Sequence, residues 1–259
     1  MGQSPSSPQP NTQLQVIGAG LSRTGTASLS AALAHLLNGP VYHGGTQITA
    51  GPPTELPRWN RLLRHWLRRD EAATLSLLRE ITTGYAAITD APASHLVPEL
   101  LTLYPNAKVV VTVRDRQAWI QSVDTLASVV TPWFLWAVLL PLPGMRHFMT
   151  FISLVRAQWG CVYEGKAQDK AWVYHRHLEW LKEVVPADQL VVFDVKDGWE
   201  LLCRGLGVEV PPKDVPFPRI NDAKAMEQGA ADHIRRGLVR WAVGLGVLGV
   251  GLAWWWRWR

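Results

Sequence analysis

Ser22-Arg23-Thr24-Gly25-Thr26 gathers three hydroxyls, a guanidinium and a glycine into five residues, between the apolar run Leu14–Ile17 and the helical pattern Thr26–Leu37. Such a loop suits a tetrahedral anion. The first backbone N–H groups of a helix lack intrahelical partners, the helix dipole is positive there, and an arginine adds a planar fork of donors. Phosphate and sulfate both fit, without a metal. Two commoner nucleotide loops do not match. The dinucleotide pattern begins well with Gly18-Ala-Gly20 but finds Arg23 where its third glycine belongs. Its ribose-binding acid is missing too, since the first acidic residue is Glu55. Gly20 and Gly25 have the spacing of a nucleoside-triphosphatase loop, yet Thr26 and Ala27 replace its lysine and magnesium-binding hydroxyl.

Two side chains could take a proton beside that anion. Asp90 follows the run Tyr85–Thr89, and His43 ends the run Val41–His43, both at carboxyl ends of expected strands, where open parallel sheets bind ligands. A solvated aspartate is a weak base near neutral pH, so Asp90 needs burial or shielding by the acceptor. Histidine suits proton transfer without tuning, but a strand-end histidine bonded to backbone is an equal alternative. Arg114 follows Lys108–Val113, and Ser122 lies eight residues later. Taken alone, they read as an ion pair with Asp115 and a serine bonded to its own helix.

Together these residues resemble the sulfotransferases that use 3'-phosphoadenosine-5'-phosphosulfate. That family's loop orders a lysine or arginine, a small hydroxyl residue, Gly and Thr, as in Arg23-Thr24-Gly25-Thr26, and it binds the cofactor's 3'-phosphate with a strand-end arginine and a serine eight residues on. Thr89-Asp-Ala-Pro92, Tyr104-Pro-Asn-Ala-Lys108, Asp197-Gly-Trp-Glu200 and Pro216-Phe-Pro-Arg-Ile-Asn-Asp222 are similar to the branch common in fungi and algae, so the resemblance covers residues 14–222. It implies that Ser22, Thr24, Gly25 and Thr26 hold the 5'-phosphate and that Arg23 offsets charge on the departing phosphate. Arg114 and Ser122 would hold the 3'-phosphate, with Asp90 as base and His43 as its rival. There are two departures. Ser28 stands where many relatives stack an aromatic residue on adenine, and the usual C-terminal Arg-Lys-Gly contact is absent, with Arg219 and Lys224 as substitutes. A nucleotide-dependent phosphotransferase or hydrolase on a related fold, and a catalytically silent membrane adaptor, remain open.

The elements that must position these groups alternate. Expected strands Leu14–Ile17, Val41–His43, Tyr85–Thr89, Lys108–Val113 and Leu190–Phe193 are separated by expected helices at Thr26–Leu37, Arg58–Arg69, Ala72–Ile81, Ser94–Tyr104, Gln117–Ser128, Ala167–Val185 and Trp199–Leu206. That order predicts an α/β three-layer sandwich around a parallel sheet, over residues 13–223. Arg58–Arg69 puts Trp59, Leu62, Leu63 and Trp66 on one face and arginines on the rest, and reads as a docked surface helix. The apolar stretch Leu126–Leu142 is broken by prolines and reads as a lid over an acceptor or a surface against a bilayer.

The chain's end differs in kind. Leu238–Trp256 carries one charge, Arg240, in nineteen residues, and would span about 28 Å of a roughly 30 Å hydrocarbon core. Trp241 and Trp254, Trp255, Trp256 and Trp258 supply interfacial aromatics, and Arg257 and Arg259 close the far side. The expectation is a single-pass C-terminal anchor, joined by a 224–237 linker to a catalytic domain facing the cytosol. Ala242, Gly246, Gly249 and Ala253 share one face along which a second copy could dock. Residues 1–12 read as a disordered tail without a secretory signal, though Met1-Gly2 fits a myristoylation pattern. A net charge of +5 with arginines clustered at the apolar end points to membrane rather than nucleic acid, and Cys161 and Cys203 form no metal motif.

Overall fold

The run Lys108-Val-Val-Val-Thr-Val113 is β-branched at every position after its lysine, a composition that suits a strand covered on both sides. The computed structural model, which describes residues 4–220 and 223–259, places it inside a parallel sheet with a strand on either side. Strand β1 (Val16–Gly18) leads through the anion loop into α1 (Thr26–Leu36). After β2 (Val41–His43) come α2 (Gly44–Ala50), α3 (Glu55–Leu67) and α4 (Glu71–Thr82), and after β3 (Ala87–Thr89) comes α5 (Val97–Leu103). Strand β4 (Lys108–Val113) is followed by α6 (Arg116–Val130), α7 (Leu135–Leu139), α8 (Phe148–Val162) and α9 (Lys170–Val184). Then β5 (Leu190–Asp194), α10 (Gly198–Leu206) and α11 (Ala223–Arg257) complete the order.

All described strand pairs are parallel, in the order β2-β3-β1-β4-β5. Alternation within the strands divides the core. Val16 and Val110 pack with Leu29, Leu33 and Trp199 on the α1 and α10 side, whereas Ile17, Val109 and Val111 pack with Trp59, Leu62 and Leu181 on the other. This is the expected α/β three-layer sandwich. Because β1 lies between β3 and β4, the chain leaves it toward β2 on one side and later crosses to β4 on the other. The anion loop therefore springs from a switch in strand order, where a crevice opens at the carboxyl edge.

Several elements depart from the sequence reading. Residues 1–12 were expected to be a disordered tail, yet Ser6 donates to the Val41 carbonyl, Tyr85 donates to the Ser6 carbonyl at 3.1 Å, and Gln9 N donates to the Gly84 carbonyl at 2.8 Å. Residues 224–237 are not a loose linker: α11 is helical through them and continuous with the apolar segment. α2, α7 and α8 are additions to the sequence reading: Gly44-Gly45 reads as a break at the start of α2, and prolines flank α7. α3 docks as expected, with Trp59, Leu62 and Leu63 fully buried. Met1-Gly2, and Asn221 and Asp222 of the Pro216–Asp222 motif, lie outside the described residues.

Candidate active site

The loop is shaped by two close approaches. A side chain at Gly20 would place its Cβ 1.9 Å from Thr112 Oγ1, so only glycine lets β1 run on beside β4. Gly25, at φ 103°, turns the chain into α1 from the left-handed region. Among the described residues no side chain caps α1, and its first turn holds no acidic group, so its positive end faces the loop. Arg23 and Asp90 also lie at positive φ, 76° and 72°. Such backbone persists in non-glycine residues when surrounding contacts enforce it, and it gathers at functional sites.

The separate candidates from the sequence come together here. Ser22 Oγ donates to Asp90 Oδ1 at 2.6 Å, tying the loop to the end of β3. Gly45 N donates to Asp90 Oδ2 at 3.1 Å, and His43 Nε2 lies 3.6 Å from the same oxygen. Asp90 is 7% exposed. Thr26 Oγ1 sits 3.3 Å from His43 Nε2. The other imidazole nitrogen is occupied: Thr46 N donates to His43 Nδ1 at 3.2 Å. Thr46 Oγ1 lies 2.9 Å from the same nitrogen, so Thr46 holds the ring from one side while Nε2 faces Thr26 and Asp90.

On the opposite side, Arg23 Nε donates to Ser122 Oγ at 3.0 Å, and Arg114 Nη1 donates to the Arg23 carbonyl at 3.0 Å. Asp115 does not pair with Arg114 but caps α6 by accepting from Ala118 N at 2.8 Å. Buried Trp119 donates from Nε1 to the Ser22 carbonyl at 3.0 Å, while Tyr174 exchanges hydrogen bonds with the backbone of Arg114. Two guanidiniums are thus held beside one helix start. Thr24 behaves differently from the expectation for it. Its hydroxyl donates to the Leu21 carbonyl at 2.7 Å and lies 2.5 Å from Thr112 Oγ1, so it shapes the loop from inside. Arg219 is exposed and reaches the region only through its neighbour Ile220, whose N–H donates to Ser28 Oγ at 2.9 Å.

A buried relay that the sequence did not disclose supports the loop from below. His177 Nε2 donates to the Ala19 carbonyl at 2.6 Å, Tyr163 OH lies 2.8 Å from His177 Nδ1, and His95 Nε2 lies 2.8 Å from Tyr163 OH. Ser94 Oγ, 3.1 Å from His95 Nδ1, ends it. Because Ala19 O only accepts, every proton has one place: Ser94 to His95, His95 to Tyr163, Tyr163 to His177, His177 to Ala19. Burial pushes His177 down to about 4 and His95 well below its ordinary value, so both rings are neutral, as this order demands. No periodicity marks His95 or His177. The usable signals were Thr112, the lone hydroxyl in a valine run, and the Gly44-Gly45 pair after β2.

A family model described as "Sulfotransferase domain" matches residues 15–226. The chain belongs to the sulfotransferase domain family. A curated relative, "Ava biosynthesis cluster protein M" of Aspergillus versicolor, is 31% identical over 186 residues, covering 68% of this chain and 71% of that protein. The match encloses the loop, Asp90, Arg114 and Ser122 within one domain, and α11 extends beyond it. In this sulfotransferase domain no cluster of metal-binding residues occurs among the described residues. α11 holds the one described helix long and apolar enough to cross a membrane, over Lys224–Arg257.

Proposed function

We propose that this chain is a membrane-tethered sulfotransferase that moves a sulfuryl group from 3'-phosphoadenosine-5'-phosphosulfate to a hydroxyl or amine of an apolar, membrane-associated acceptor. The observation that carries the proposal is the bond from Ser22 to Asp90, which joins a buried carboxylate to the anion loop. The residues fit the donor: an uncapped helix start, hydroxyls at Ser22 and Thr26, and the guanidiniums of Arg23 and Arg114 match a ligand with two anionic ends. When bound, the donor supplies an activated sulfuryl group with a phosphate as leaving group.

Asp90 is the base in this reading. His43, whose Nε2 lies 3.6 Å from Asp90 Oδ2, is the rival for that role. Gly45 N–H and the Ser22 hydroxyl hold Asp90 in place while the carboxylate takes the acceptor's proton. Arg23 offsets charge on the departing phosphate, and Arg114 with Ser122 receives the 3'-phosphate. For an acceptor path, a cavity of about 140 Å³ lies between α2 and the root of α11, lined by Ile48, Leu56, Leu142, Met145, His233 and Arg236. α2 begins at the residue after His43. The anchor reading rests on α11, with the catalytic domain on the cytosolic side. The test incubates full-length protein with donor carrying labelled sulfate and with extracted lipids and sterols. Label in an apolar product that vanishes in Asp90→Asn supports the proposal, whereas no transfer to any fraction from a protein that binds the donor overturns it.

A further inference from the structure

α7 is short but sharply two-sided. Leu135 and Leu139 are buried in the core, while Trp136 and Leu140 on the other face are 59% and 46% exposed. Just before it, Trp133 is 79% and Phe134 39% exposed, with their rings 6.3 Å apart, edge to face. No ionisable residue occurs between Asp124 and Arg146. An aromatic patch this concentrated costs free energy in water and signals a partner.

The position of the patch identifies that partner. α7 is fastened to the first turn of the apolar segment of α11: Trp241 Nε1 donates to the Ala137 carbonyl at 2.9 Å, and Arg240 Nη1 donates to the Pro141 carbonyl at 3.0 Å. A Cβ at Gly237 would come within 2.1 Å of the Val138 carbonyl, so glycine is what allows this approach. Gly237 and Trp241 are about 6 Å apart along the helix axis. If Leu238–Trp256 crosses the hydrocarbon, this turn lies at headgroup level. Elements bonded to it must lie there too. Tryptophan favours that zone, where its ring meets acyl chains and its N–H meets water.

We propose that Trp133, Phe134, Trp136 and Leu140 form a second membrane contact, a wedge seated in the bilayer interface that fixes how the sulfotransferase domain stands over the lipid. The inference rests on the anchor reading of α11 above. The wedge makes a single helix into a two-point attachment and turns the cavity at the root of α11 toward the interface, where an apolar acceptor would enter.

The test uses the full chain with Cys161→Ser, since Cys161 is exposed and Cys203 is buried. Nitroxide labels are placed through cysteines at positions 133, 136, 192 and 248, one at a time, after reconstitution into phosphatidylcholine vesicles. Relaxation by lipid-soluble oxygen is compared with relaxation by a water-soluble nickel chelate. Oxygen should dominate at 133, 136 and 248, and the chelate at 192, on the exposed edge strand β5. If 248 is in lipid while 133 and 136 meet the chelate, the wedge is overturned and the anchor stands. If 248 itself meets the chelate, the anchor fails and the wedge with it. Spin–spin broadening at 133 or 136, without oxygen access, would assign the patch to a second copy of the chain and would also overturn the proposal.

Discussion

Substituting His177 tests whether the buried relay beneath the anion loop contributes stability in the way its geometry requires. The ordinary histidine value of 6.5 falls to about 4 in the folded chain because burial disfavours the imidazolium, while the bond to the Ala19 carbonyl partly opposes the drop. The sign follows directly. As pH falls below about 6.5, the unfolded chain takes up a proton at this residue that the folded chain refuses, so stability present at neutral pH is lost on acidification. The gap corresponds to about 3 kcal/mol in full, of which about 2 kcal/mol is gone by about pH 5. His95, also depressed, adds loss in the same direction. The assay is urea unfolding of the full chain in detergent from about pH 7.5 to 5, wild type against His177→Gln. The variant should be less stable at neutral pH but should lose about 2 kcal/mol less on acidification. Tyr163→Phe supplies an independent variant. It leaves His177 Nδ1 and the His95 N–H without partners and should cost roughly 2–4 kcal/mol. Parallel pH profiles for wild type and His177→Gln would refute the reasoning.

Other consequences can be checked at the bench. Asp90→Asn should lower sulfuryl transfer by roughly 10²- to 10⁴-fold while leaving adenosine 3',5'-bisphosphate affinity within a small factor, as read by labelled-sulfate turnover beside calorimetry. Gly20→Ala forces a methyl to within 1.9 Å of Thr112 Oγ1 and should destabilise by about 1–3 kcal/mol in urea unfolding, with nucleotide binding falling in parallel. Ser122→Ala removes the hydroxyl that Arg23 holds and should weaken bisphosphate binding several-fold, and Ser122→Thr should restore part of the loss.

Much of the fold was legible because its signals are strong and local. β2 and β4 have the expected limits, since Val41–His43 ends on a histidine and the valine-rich run Lys108–Val113 is followed by Arg114. The capped start of α6 lies one residue from its expected limit, with Asp115 accepting a backbone N–H, whereas α9 starts three residues later than expected because Asp169 caps it. The losses share a different cause. Composition made residues 1–12 look disordered, but Ser6 and Gln9 find partners on β2 and near Gly84 that no local pattern announces. The polar stretch 224–237 continues the helix of the apolar segment after it. At the site, residue types were readable, whereas proton positions were not. No local pattern announces that Thr46, three residues beyond His43, sets both its N–H and its hydroxyl against the ring's Nδ1. Thr24 likewise looks from the sequence like a ligand, and only its contacts with Leu21 and Thr112 reveal an inward hydroxyl.

The central claim is that the Ser22–Thr26 loop, with Arg114, is the binding site of a phosphoadenosine sulfuryl donor. The most direct measurement is calorimetric titration of the full chain with adenosine 3',5'-bisphosphate and, separately, with ATP and magnesium, for wild type and for folded Arg23→Ala, Arg114→Ala and the double variant. Wild type should bind the bisphosphate in preference to ATP, each single substitution should weaken it by roughly 10- to 100-fold, and the double variant should lose it. Unchanged bisphosphate affinity in the double variant, or a wild type that prefers ATP with magnesium, would contradict the assignment.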